Sequence, residues 1–117
     1  EEALDILDDN WERVKKEFYT NTRHWDYINL IQEFSYNVVD IFPNKHFDMV
    51  YIDASHKYED IKKDIDMYLP KCKYIIGGHD YQPEHPGVIK AVSETFDKVD
   101  LASNDGSWFK VLNLQYL

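Results

Sequence analysis

The chain has 117 residues, 44% hydrophobic and 30% charged, which is enough for one buried core and too apolar for intrinsic disorder. With 13 Lys+Arg against 22 Asp+Glu the net charge is -9, which argues against a sequence-independent nucleic-acid binder or an anionic-membrane binder, since both need a basic surface. No stretch approaches the roughly 18 apolar residues of a membrane span, and the single Cys72 excludes both a disulfide framework and a zinc cluster built on cysteine pairs.

A lone cysteine suits a reducing, cytoplasmic setting. The opening Glu1-Glu2-Ala3 carries neither a basic nor an apolar leader, so no secretion signal is expected, and a start in mid-helix suggests a piece of something longer.

Leu4, Leu7, Trp11, Val14 and Phe18 recur at steps of three and four, which predicts a helix over residues 1–18 that ends at Thr20-Asn21-Thr22. Tyr27 to Ile31 reads as a strand. Ser35 is placed to cap a short helical segment through Val38, Val39 and Ile41, ending at Pro43. Phe47 to Asp53 is apolar on successive positions, the pattern of a strand covered on both faces. Tyr58, Ile61, Ile65, Tyr68 and Leu69 define a second long helix, stopped by Pro70. Cys72 to Ile76 is another buried strand running into Gly77-Gly78-His79-Asp80. Pro86 opens a helix with Val88, Ile89, Val92 and Phe96 inward. Lys98–Ala102 and Trp108–Leu114 flank Asn104-Asp105-Gly106-Ser107, a hairpin signal. Strands alternating with helices predict one α/β domain over 1–117, a Rossmann-like, mostly parallel sheet with helices on both faces and an antiparallel hairpin at one edge.

Ligands of open parallel sheets bind at the carboxyl ends of the strands. Two such ends are polar here, Asp53-Ala54-Ser55-His56 and Gly77-Gly78-His79-Asp80. If the two strands are neighbours, about 4.8 Å apart, Asp53 and Asp80 share a rim. Two carboxylates that close repel unless a cation lies between them, for which Mg²⁺ is a fitting ion, with His79 either a further ligand or a group that supports the ligands from behind. The competing reading is that each Asp caps the turn or helix that follows it. His56 precedes the second long helix, whose positive end disfavours imidazolium, the state a general base must avoid; alternatively it is a surface residue closing a loop. Cys72 reads as a small core residue, and His24, His46 and His85 carry no pattern. The first glycine is Gly77, so neither a Walker loop nor a dinucleotide fingerprint is present.

The run Phe47-Asp48-Met49-Val50-Tyr51-Ile52-Asp53-Ala54-Ser55-His56-Lys57-Tyr58-Glu59-Asp60, followed by Asp64, Leu69-Pro70, Gly77-Gly78-His79-Asp80-Tyr81 and Pro86 to Val92, resembles the second half of class I S-adenosylmethionine-dependent methyltransferases. Within these it is most similar to small-molecule and sugar O-methyltransferases with an aspartate-rich metal site. The resemblance runs from Trp25 to the C-terminus. It implies a seven-stranded sheet, with Trp25–Ile31 as its third strand, Phe47–Asp53 its fourth, Cys72–Gly77 its fifth, and the hairpin its sixth and seventh.

The resemblance also implies roles. Phe34 and Ser35, after Glu33, fall where the family contacts adenine. Asp53, Ala54 and Ser55 line the methionine side of the cofactor, and His56 matches the base that deprotonates a hydroxyl. Asp53, His79 and Asp80 match the metal ligands, with His79 where an acid is common. The first strand with its glycine-rich loop and the second with its ribose-binding acid are expected ahead of Glu1, so the chain corresponds to about two thirds of such a domain. The resemblance therefore implies methyl transfer from S-adenosylmethionine to a small-molecule hydroxyl, with Mg²⁺ assistance. The rival expectation is a non-catalytic module that pairs an exposed sheet edge with a second copy. A phosphohydrolase built on His79-Asp80 is disfavoured, because such enzymes need more upstream histidines.

Overall fold

The computed structural model describes residues 2–113, with side chains from residue 10 onward. Packing divides the chain into two units, Glu1–Gln32 and Glu33–Leu117. In the first, helix α1 (Glu2–Thr22) runs one turn further than its polar end predicts. The Thr22 hydroxyl donates to the Phe18 carbonyl at 2.7 Å and the Trp25 N–H to the Thr22 carbonyl at 2.8 Å, so side chain and backbone satisfy the last turn together. Trp11, Val14, Phe18 and Leu30 line a shallow apolar groove. Leu4 and Leu7 lie outside the described side chains.

Tyr27–Ile31 is not a strand. Its residues have strand-forming side chains, but no segment of the described chain pairs with them, and an unpaired ladder has nothing to hold it. Tyr27 is 74% exposed and Ile31 50%.

The second unit contains α2 (Ser35–Val38), β1 (Phe47–Ile52), α3 (Tyr58–Tyr68), β2 (Cys72–Gly78), α4 (Pro86–Thr95), β3 (Leu101–Ala102) and β4 (Trp108–Val111). Short 3-10 turns follow α2 and α3. Ser35 does not cap α2. It is the helix's first residue, and its hydroxyl donates to Asp64 instead. The sheet order is β1-β2-β4-β3. β1 and β2 are parallel, with Ile52 opposite Gly78, whereas β4 runs antiparallel between β2 and β3. The hairpin thus inserts its second strand against β2 and leaves its first outermost. Its strands are shorter than predicted, and Leu114 lies outside the described residues.

The core joins Ile52, Ile76 and Trp108 of the sheet to Ile61 and Ile65 of α3 and Val88, Ala91 and Val92 of α4. Ile65, Ile76, Ala91, Val92 and Trp108 are fully buried. Burying a side chain of this size contributes about 1.5–3 kcal/mol. Within this unit α3 and α4 both cover that one face. β1 is therefore not sealed on both sides, and its alternate residues Met49 and Tyr51 remain 47% and 44% exposed. Cys72 is buried as expected; burial pushes its thiol pKa up, and the thiol donates to the Ile75 carbonyl. No helix among the described residues is long and apolar enough to cross a membrane.

Candidate functional site

Parallel pairing of β1 with β2 sends both carboxyl ends to one rim. The His79 N–H donates to the Ile52 carbonyl at 3.1 Å, extending the ladder one step past the strands. Asp53, His79 and Asp80 accordingly bring ligand-type atoms within 4.8 Å of one another. Asp80 turns the chain with φ +66°, a left-handed conformation that Asp tolerates better than most residues. The loop beyond it is held by Gln82 N–H to Asp80 O at 2.9 Å and Tyr81 N–H to Gly106 O at 2.9 Å, so the hairpin turn anchors the rim.

His56 joins this cluster from the β1–α3 loop, its Nε2 2.8 Å from Asp80 Oδ2. That contact fixes the neutral ring's tautomer: Nε2–H donates to the carboxylate and Nδ1 keeps the lone pair. Tyr58 and Tyr81 pack against the core, in keeping with a structural role. Ser55 pins the same loop, its hydroxyl donating to Asp60 at 2.8 Å and accepting the Lys57 N–H at 3.1 Å.

Sequence reasoning missed His85. It stands just before α4 with its Nε2 3.7 Å from Asp80 Oδ1, and its ring lies 4.0 Å from that of His56. Gly87 makes the approach possible, because a Cβ there would lie 2.8 Å from the His56 carbonyl oxygen and from the Tyr58 nitrogen. The only sequence signal was a glycine at the second position of a helix, two residues after a histidine.

Beside the cluster, a cleft of about 300 Å³ opens at the end of β1, lined by Ser35, Val50, Tyr51, Ile52, Asp53, Ala54, Asp64 and Tyr68. Three of the five predicted cofactor positions, Ser35, Asp53 and Ala54, therefore share one concavity, while Phe34 and Ser55 are outside its lining. Ser35 donates to Asp64 at 2.6 Å and its carbonyl accepts from the Tyr68 hydroxyl at 2.7 Å, which ties α2 to α3. Burial, then the Asp64 charge, raises the Tyr68 pKa and keeps its donor proton in place. Phe34 is 66% exposed and stacks on Tyr36 with ring centroids 5.3 Å apart.

Burial opposes charge on His79, but the Asp105 backbone, the Asp80 side chain and the nearby Asp80 and Asp53 charges outweigh it and raise the imidazole pKa. Asp105 is held near a pKa of about 2 by the Ser103 hydroxyl and by the Ser107 N–H and hydroxyl.

An α/β sheet with a polar rim and a cleft at one strand end is the architecture of many cofactor-binding transferases. A family profile described as a methyltransferase domain matches residues 3–81, and the chain belongs to that family. No curated protein and no solved structure matches the chain. The family implies S-adenosylmethionine as methyl donor. The cleft suits such a group, since Asp53 and Asp64 bring carboxylates to a cavity that would face a sulfonium and an ammonium. Mg²⁺ fits less well. Both Asp80 oxygens face imidazole nitrogens, from His56 on one side and from His79 and His85 on the other, whereas Mg²⁺ demands oxygen donors.

Proposed function

We propose that this domain transfers a methyl group from S-adenosylmethionine to a hydroxyl of a small molecule such as a sugar, on a Rossmann-like sheet of which 1–117 is a partial domain. The observation that carries the reading is the shared rim, where the cleft at the end of β1 adjoins the His56–Asp80 pair. Asp53 and Ala54 would hold the methionine side of the cofactor and Ser35 the adenine side. Phe34 would offer its exposed face to the base, and Ser55 would keep the loop between them in shape. When bound, the cofactor supplies a methyl group made electrophilic by positive sulfur.

The chain's own residues then handle the acceptor proton. His56 Nδ1 takes it as the acceptor oxygen bonds to carbon and the carbon–sulfur bond breaks. Asp80, already hydrogen-bonded to Nε2–H, stabilises the imidazolium that results. His79 keeps Asp80 oriented from its other oxygen, 3.1 Å away. No step is routed through Mg²⁺. Calorimetry with S-adenosylmethionine, followed by labelled-methyl transfer to a panel of hydroxyl acceptors, tests the reading. Cofactor binding lost in Asp53→Ala and transfer lost in His56→Ala are expected; absence of cofactor binding to the unaltered chain would overturn it.

The exposed edge favours a second reading. Among the described residues β1 has a neighbour on one side only, with Met49 and Tyr51 open, so a self-associating, non-catalytic module is the alternative. Concentration-dependent sedimentation without cofactor affinity would favour it over the transferase.

A further inference from the structure

A proton-transfer dyad needs one histidine, yet two imidazoles aim their Nε2 atoms at the same carboxylate. His56 Nε2 is 2.8 Å from Asp80 Oδ2, and His85 Nε2 is 3.7 Å from Asp80 Oδ1. Bonds of about 2.0–2.2 Å at tetrahedral angles would set donors about 3.4 Å apart, a spacing within reach of one ligand atom from each residue, since these already lie within 4.8 Å of one another.

Three different elements hold the donors in place. His56 sits on a loop pinned by Ser55, Asp80 on a left-handed turn tied to the hairpin, and His85 at the head of α4, which Gly87 seats against the His56 backbone. The His56 side chain is 51% exposed, so a coordination position toward solvent is accessible.

We infer that His56, Asp80 and His85 form a three-donor site for a borderline divalent ion such as Zn²⁺ or Co²⁺, to the exclusion of Mg²⁺. Two nitrogens and one carboxylate match the preferences of those ions, whereas the hard ion wants oxygen throughout. Resting on the transferase reading, a consequence follows for regulation. An ion on Nε2 of His56 replaces the hydrogen bond to Asp80, and the neutral ring's single proton moves from Nε2 to Nδ1. That ring cannot accept another from a hydroxyl, so the ion and catalysis exclude each other.

Calorimetry of the 117-residue chain with Zn²⁺, Co²⁺ and Mg²⁺, with no methyl donor present, tests the site directly. One equivalent of Zn²⁺, a visible ligand-field band with Co²⁺, and no heat with Mg²⁺ are expected. His85→Ala and Asp80→Asn should each weaken Zn²⁺ by about 100-fold, the top of the range for losing a group that merely orients a ligand. His24→Ala should leave binding unchanged. Should either variant fail to fold, nitrogen NMR on the unaltered chain decides, since Zn²⁺ must shift the ring signals of His56 and His85 and spare His24. Zn²⁺ binding indifferent to His85→Ala, Mg²⁺ binding as tight as Zn²⁺, or unmoved ring signals would each overturn the site. Because cofactor affinity is measured separately without metal, its failure would remove only the transferase and leave the metal site standing.

Discussion

At Asp80 one side chain serves several neighbours while its backbone adopts φ +66°. Asp80→Asn keeps a residue that accepts this conformation but removes the charge that supports imidazolium on His56. Methyl transfer should fall by about 100-fold or more, the usual weight of an acid–base contribution, with cofactor affinity unchanged by calorimetry. Asp80→Ala should in addition lower the melting temperature, because alanine is strained there.

Asp105 gives a pH prediction with a definite sign. Its folded pKa of about 2 lies below the ordinary 3.8, so the hairpin turn gains stability that is full above the ordinary value and is lost as pH falls through about 2. NMR titration of the Asp105 carboxyl should show that low midpoint, and Ser103→Ala should move it back up. Among single residues the sequence was legible in placement, since Asp53, His56 and Asp80 follow strand ends that the parallel pairing brings to one rim. It was silent on His85, whose importance depends on distance in space rather than spacing along the chain.

Elements were readable where apolar periodicity coincided with burial. The inner face of α3 is as predicted, and that of α4 is so at Val88 and Val92 but turns Ala91 rather than Ile89 into the core; Pro70 and Pro86 mark their boundaries as the rigid ring requires. Ile65→Ala, at the centre of the α3 face, should cost about 2–5 kcal/mol in denaturant unfolding. Gly87→Ala is the more discriminating change. Its Cβ would press on the β1–α3 loop, moving α4 away from His56; we expect a loss of about 1–3 kcal/mol, with cofactor affinity less affected than the His56–His85 contact. Tyr27–Ile31 failed as a strand for the converse reason. Propensity offers a conformation, but a ladder needs a partner, and no local pattern reports whether one is present.

Over the whole molecule, the consequential features are a sheet edge and an acidic charge. β1 carries its apolar residues at an edge, so Met49→Lys should abolish any concentration-dependent association seen by sedimentation, as a charge on an edge strand does in general. If the chain sediments as one species at all concentrations, the self-association reading falls. The alternation of strand and helix, the inner face of α3 with most of that of α4, and the polar strand ends could be read locally, because each is written in side chains close along the chain. Pairing and packing in space put β4 beside β2, gathered α3 and α4 over one face of the sheet within the second unit, and brought two histidines nearly thirty residues apart in sequence to one carboxylate. Those outcomes depend on which backbones find partners and how closely a glycine lets two segments approach, quantities that no local periodicity encodes.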